Sequence, residues 1–233
     1  MSAPFEPLSP VPTDVPAIAA PRWQRRPEDR PDEIINAAQQ VFGEVGFARA
    51  KIDDVARLAG VSKGTVYLYF DSKESLFREM VRAKVVPKLA EAEESVRTHH
   101  GSARDLLVSI ATGMFRRMGE VGLARISRVV QAEMGTFPEL ARFYFDEVIL
   151  RARHLVQRVL EIGVTSGEFR PESLDFAARG LPSLLVHTAN VQCFYQQFDP
   201  EALHDDQALA GIIDLYLYGV LAPPRPGAEA SHA

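Results

Sequence analysis

The chain carries one cysteine, Cys193, so no intrachain disulfide can form. Stability must come from packing, as in proteins of a reducing cytoplasm. Lone in the sequence, Cys193 reads as an inert buried thiol or, alternatively, a redox sensor. No apolar run approaches the roughly 20 residues that span a bilayer. The N-terminal MSAPFEPLSPVPTDVPAIAA has no basic start, and prolines interrupt its apolar residues, so it does not read as a signal peptide. Strand-like alternation is missing. So are a phosphate-cradling glycine loop, a CxxC pair and an HExxH helix. Asp53 and Asp54 are adjacent, so on a helix they diverge and make no paired-carboxylate site. His99-His100 beside Gly101 reads as a solvated helix end, not a metal site. These absences argue against an enzyme and against a bound metal or cofactor.

What is present is an ordinary globular composition, 46% hydrophobic and 24% charged, in 233 residues. That suffices for a sizeable core. The net charge of −5 argues against nucleic acid only if it is spread evenly, and it is not. Residues 22–30 hold Arg22, Arg25, Arg26 and Arg30 against Glu28 and Asp29, a local +2 that leaves −7 elsewhere. A basic lead-in on an acidic body suits a protein that meets a polyanion at one end. The segment enters a minor groove, or it is a solvated lead-in with Trp23 resting on the core.

Residues 1–21, with six prolines, read as a disordered tail, and 223–233 as a second loose end. Between them the periodicity is helical. Helices are expected over about 31–44, 52–59, 62–70, 72–98, 102–118, 122–134, 138–163, 171–197 and 201–221. Glycines and prolines mark the breaks, and Pro182 should kink its helix. In residues 71–74, Asp71 with Glu74 three positions on resembles a capping box that opens the long fourth helix.

Within this plan GVSKGTVYLYF, residues 60–70, is unusual. A glycine inside a helix costs roughly 1 kcal/mol against alanine. On a helical wheel Val66 and Phe70 face inward, while Gly64, Thr65, Tyr67 and Leu68 face outward. An outward leucine beside a glycine makes sense if the face meets the floor of a groove, which a missing side chain lets the backbone approach. Leu68 or the Thr65 methyl then reaches a thymine methyl, and Lys63 a guanine edge or a phosphate. The Tyr67 and Tyr69 hydroxyls suit phosphates beside the groove. Upstream, Val55-Ala56 and the turn glycine Gly60 complete a helix-turn-helix pattern.

Residues 32–77, with IINAAQQVFGEVGF, KIDDVARLAGVSKGTVYLYF and DSKESLF, resemble the DNA-binding domain of the TetR family of transcriptional regulators. Beyond them only the helical layout and phrases such as TFPELARFYF and SGEFRP are similar. The resemblance implies an all-α fold: an N-terminal three-helix helix-turn-helix domain, then a larger helical ligand-binding and dimerisation domain, about nine helices in all. The corresponding segments are 22–75 and 76–222. It implies DNA contacts at Lys51, Ser62, Lys63, Gly64, Thr65, Tyr67, Leu68, Tyr69 and Lys73, the last to a backbone phosphate. Where the family places a threonine or serine to open helix 2, this chain has Arg49-Ala50-Lys51, so the hydroxyl cap is absent and charge takes its place.

The implied partners are double-stranded DNA with a palindromic operator, a second copy of the chain, and a small, partly apolar effector, in the cytoplasm and without a membrane. Met114, Met118, Met134, Phe137 and Phe145 line an adaptable pocket or fill a core. His187 and Asn190 are polar groups on a buried helix that need partners: a ligand, the other subunit or local backbone. Leu209, Ile212, Ile213, Tyr216 and Leu217 fit a dimer interface. The function implied is a ligand-responsive repressor. An activator or ligand-independent regulator is the alternative, and a helical binding protein without DNA function a third reading.

Overall fold

The computed structural model describes residues 30–170, 174–199 and 204–220, so both expected tails and the basic residues Arg22 to Arg26 lie outside the described residues. Every regular element among the described residues is helical. Eleven α-helical segments occur: α1 Arg30–Val45, α2 Ile52–Ala59, α3 Lys63–Tyr69, α4 Lys73–Lys84, α5 Val86–Arg97, α6 Ala103–Gly119, α7 Val121–Glu133, α8 Pro138–Tyr144, α9 Leu150–Thr165, α10 Leu174–Tyr195 and α11 Asp205–Asp214. No described helix is long and apolar enough to cross a membrane.

The expected helix 72–98 is two helices. Pro87 sits in the first turn of α5, where it has no N–H to return to the carbonyl four residues back. The chain therefore bends at Val85, whose carbonyl restarts the ladder by accepting from Lys88 and Leu89. The cap of α4 is Ser72 rather than Asp71. Its hydroxyl accepts from the Ser75 N–H at 3.0 Å, and the Ser75 hydroxyl accepts from the Ser72 N–H at 3.1 Å. Expected as one rod, 138–163 carries a π-helical turn, Phe145–Ile149, between α8 and α9. Pro182 lies within α10, which continues past it to Tyr195.

Two apolar cores organise these helices. The first joins α1–α4 around Phe42, Phe47 and Phe77, whose rings lie 5.4 to 6.0 Å apart. It also takes in Ile126 and Val129 of α7, Leu140 and Phe143 of α8, and Val148. Phe137, from the turn before α8, sets its ring edge-on to Phe47 at 4.9 Å. Packing thus runs across the boundary expected near residue 75. The second core lies between α6, α9, α10 and α11.

The SGEF phrase explains itself as a helix stop. Gly167 has φ +79, open to glycine without strain, and the N–H groups of Glu168 and Phe169 both donate to the Gly163 carbonyl at the end of α9. Phe169 folds back over Gly163 so closely that a Cβ there would lie 2.0 Å from its ring. Glu168 is then aimed at the start of α6. Its carboxylate accepts from the N–H groups of Ala103 at 2.9 Å and Arg104 at 3.1 Å, and from the Ser166 hydroxyl at 2.9 Å.

These bonds, the Ala103 N–H foremost, hold the Glu168 carboxyl below its ordinary value of 4.5. A depressed folded value means that its stabilisation is full above the ordinary value and is lost as pH falls through the folded one. Glu168→Gln should lower stability near neutral pH by on the order of 1 kcal/mol, a shift of about 2–4 °C in Tm. Thermal unfolding of both proteins across a pH series should show the difference closing at acid pH. A constant difference would exclude the charge as its source.

Candidate nucleic-acid interface and effector cavity

α3 is seven residues long, capped by the Ser62 hydroxyl, which accepts from the Thr65 N–H at 3.0 Å. Val66 and Phe70 are buried and Gly64, Tyr67 and Leu68 exposed, as the wheel has them. Lys63 is exposed too, and so is Tyr69, although on the wheel it leans to the side of Val66 and Phe70. Thr65 is half-buried, its hydroxyl 2.8 Å from that of Ser62. Leu68 is 77% exposed, against any local hydrophobic reason. Gly64 is not forced by the fold either. A Cβ on it would meet only the Ser62 hydroxyl, at an ordinary 3.7 Å. The glycine matters only to something that approaches from outside.

α2 holds α3 in place. Gly60 ends it with φ 67, which lets the turn fold back without strain. Lys51 occupies the N-cap with no side-chain cap bond, as the missing hydroxyl predicts, and Asp53 and Asp54 face the positive helix end instead. Asp53 also accepts from the Lys63 ammonium at 2.8 Å. That bond holds the Asp53 carboxyl below its ordinary range and raises Lys63. Both groups are exposed, so the pair is weak and free to exchange for a phosphate.

Lys73 is directed inward, in contrast to the expected phosphate contact. Its ammonium donates to three carbonyls of the α1–α2 connection: Phe47 at 2.8 Å, Ala48 at 3.2 Å and Ala50 at 3.2 Å. It also lies over the Phe47 ring, 4.6 Å from the centroid. An ammonium has three protons, and all three are engaged. The same connection is held from the other side by Glu133, at the end of α7, which accepts from the Ala48 N–H at 2.5 Å. Gly46, with φ 82, passes so close that a Cβ would meet this carboxylate.

A cavity of about 360 Å³ lies among α5, α6, α7, α9 and α10, within the usual range for small-ligand sites. Its walls are mostly aliphatic, and it reaches Val85 at the α4–α5 bend and the π-helical turn at Val148 and Ile149. Met114, Met118 and His187 line it, and Met114 also belongs to the second core. Met134 and Phe145 line a shallow cleft on the far side of Tyr144. Phe137 belongs to the aromatic core under the reading head. Asn190 lies outside the lining, its Nδ2 buried without a hydrogen-bond partner among the described residues. Lys88 and Arg117 lie at the wall and share Glu91 as an ion-pair partner, at 3.8 and 3.5 Å, which leaves a net single positive charge. A wider cleft of about 640 Å³ between α6 and the start of α11, lined by Arg116, Gln192, Asp205 and Asp206, lacks such an apolar wall. The sequence reading missed Val85, Ser127, Gln131 and Tyr144. Pro87 signals the bend, and a serine with glutamine four residues on, in an otherwise apolar stripe, signals the polar pair.

The residues expected at a dimer interface need correction. Leu209, Ile212, Tyr216 and Leu217 are buried in the second core of their own subunit, and Ile213 packs against it. The outward apolar residues are others: Phe176, 76% exposed, and Val191 on α10, with Leu215 and Tyr218 just beyond α11. Cys193 is exposed rather than buried.

Known proteins share this architecture. The family described as bacterial regulatory proteins, tetR family, matches residues 34–80, and the AefR-like transcriptional repressor C-terminal domain matches residues 105–219. The HTH-type transcriptional repressor KstR2 of Rhodococcus jostii is 30% identical over 144 residues, 61% of this chain and 69% of that protein. The fatty acid metabolism regulator protein of Bacillus subtilis is 28% identical over 152 residues, 65% of this chain and 75% of that protein. The crystal structure of the FadR regulator from Bacillus subtilis, in complex with stearoyl-CoA, superposes with a TM-score of 0.69 over 81% of this chain and 98% of its own, at 22% identity.

Two outcomes are expected. Gly64→Ala should leave the fold intact, or stabilise it by up to about 1 kcal/mol, while weakening DNA binding. Unfolding and binding curves measured together check this, and undiminished binding would mean that nothing approaches the glycine. Lys73→Ala should lower stability by about 1.5–3 kcal/mol, through lost charged hydrogen bonds, and leave the salt dependence of DNA binding unchanged. A slope lowered by about one with unaltered stability would restore Lys73 as a phosphate contact.

Proposed function

The chain belongs to the tetR family of bacterial regulatory proteins and is a DNA-binding transcriptional regulator, and from that premise we propose how its own residues do this work. It is a repressor that binds a palindromic operator as a homodimer. α3 enters the major groove, with Gly64 against the floor, Leu68 and Thr65 toward base methyls, Lys63 at a base edge or phosphate, and Tyr67 and Tyr69 toward the backbone. Arg49 and Lys51, both exposed at the start of α2, provide the phosphate charge that Lys73 does not. The observation that carries this reading is the pairing of a fully outward leucine with a glycine that the fold does not require.

The two-fold axis passes through the outward faces of α10 and α11. Exposed apolar side chains favour association, and Phe176, Val191, Leu215 and Tyr218 are exposed on α10 and just beyond α11. The effector occupies the cavity between α5 and α10. An aliphatic wall with Lys88 and Arg117 beside it suits a long apolar chain with an anionic end, the chemistry of the stearoyl-CoA held by the Bacillus subtilis structure.

Occupation is transmitted along two contacts. Val85 is both cavity wall and the bend from which α4 leaves α5. The turn Phe145–Ile149 lines the cavity, and just before it Phe143 lies under two α4 guanidiniums, Arg78 at 5.3 Å and Arg82 at 5.2 Å. A ligand that fits only one angle at Val85 selects one spacing of the two reading heads.

Selection of bound duplexes from a random pool should recover one palindrome, with affinity falling steeply as salt rises. Stearoyl-coenzyme A should then weaken binding to that duplex by on the order of tenfold. A folded dimer that enriches no sequence would overturn the DNA-reading assignment, and recovery of a palindrome with no response to the ligand would overturn the effector chemistry alone.

A further inference from the structure

The cavity is not uniformly apolar. Ser127 is buried, 8% exposed, and lines the cavity from α7. Its oxygen accepts from the Gln131 amide at 3.0 Å. A serine within a helix can return its proton to the carbonyl four residues back, as Ser95 and Ser183 do here. Ser127 makes no such bond, so its proton is free to donate into the cavity. The Gln131 side-chain carbonyl is likewise left as an acceptor on the same wall. Tyr144 adds a third group. It lines the cavity next to Val130 and Ile149, and desolvation alone pushes its hydroxyl up to about 12, so it stays protonated and able to donate.

A plain hydrocarbon chain filling this space would leave the buried Ser127 donor without a partner, while the exposed Gln131 amide keeps its access to water. Removing water from such a donor without replacing its bonds is costly, and a site built to bond a ligand oxygen rejects the analogue that lacks it. We propose that the effector carries a hydrogen-bonding oxygen, a hydroxyl or ketone, within its apolar body, and that Ser127, Gln131 and Tyr144 are the specificity-determining residues that read it. This rests on the assignment of the cavity as the effector site and narrows the ligand from a saturated chain to an oxygenated one.

The test compares stearoyl-coenzyme A with the positional isomers of monohydroxystearoyl-coenzyme A by calorimetry, on the wild type and on Ser127→Ala/Gln131→Leu. At least one isomer should bind the wild type on the order of tenfold more tightly than stearoyl-coenzyme A, and the double variant should lose that preference. Isomers that all bind no better than the saturated chain would overturn the proposal, and so would a preference that survives in the double variant. Should no acyl-coenzyme A bind, the acyl-thioester reading falls separately. The short pair octan-2-one and octane, followed by Tm, then decides the polar wall: a preference for the ketone that drops in the double variant supports it, and an unchanged ratio refutes it. If the double variant does not fold, Gln131→Met, at an exposed position, replaces it in both comparisons.

Discussion

The ammonium of Lys73 holds three carbonyls of the connection between α1 and α2, and the rest of the structure is arranged around that grip. Irregular backbone at the root of a reading helix would be mobile if left to water. Here α4 fastens it from one side, and Glu133 of α7 takes the Ala48 N–H from the other. The Phe42, Phe47 and Phe77 rings fill the space beneath, with Phe137 closing it. α2 and α3 are short, eight and seven residues, too short to be stable helices alone. They persist because their base is pinned, so the angle of α3 is set by wherever α4 and α7 stand.

α7 makes the two halves of the protein one mechanical object. One side packs on α1, close enough that Gly43 has no room for a Cβ beside Arg125. Another side, through Leu123, Ser127 and Val130, is a cavity wall. α4 meets the cavity only at its end, at Val85, where Pro87 has already interrupted the helix. The cavity is thus bounded by one helix that is firmly packed and one that leaves from a bend. The π-helical turn Phe145–Ile149 borders the cavity at the same end.

Much of this was legible in the residues. The helical layout, the exact span of α2, the inward Val66 and Phe70, and the outward Gly64 and Leu68 follow from periodicity and turn chemistry. The bend at Val85 was legible in Pro87 but not read. Leu209, Ile212 and Tyr216, expected at a dimer interface, pack inside their own subunit, and the segment has apolar residues on a second side as well, Leu215 and Tyr218. Periodicity reports that Leu209, Ile212 and Tyr216 share a face, and is silent on whether that face meets its own subunit or another.

The sequence by itself determined which segments are helices, where they stop, and which short helix is built to be approached. Those are local matters of spacing, caps and backbone freedom, decided within a few residues. Only the tertiary structure decided where long side chains end. A lysine with four methylenes reads the same whether it reaches a phosphate or three carbonyls more than twenty residues away. Ser127 reads the same whether it faces solvent or a cavity assembled from five helices. Partners distant in the chain leave no periodic trace, so the roles of Lys73, Glu133, Ser127 and Tyr144 exist only once the helices have packed.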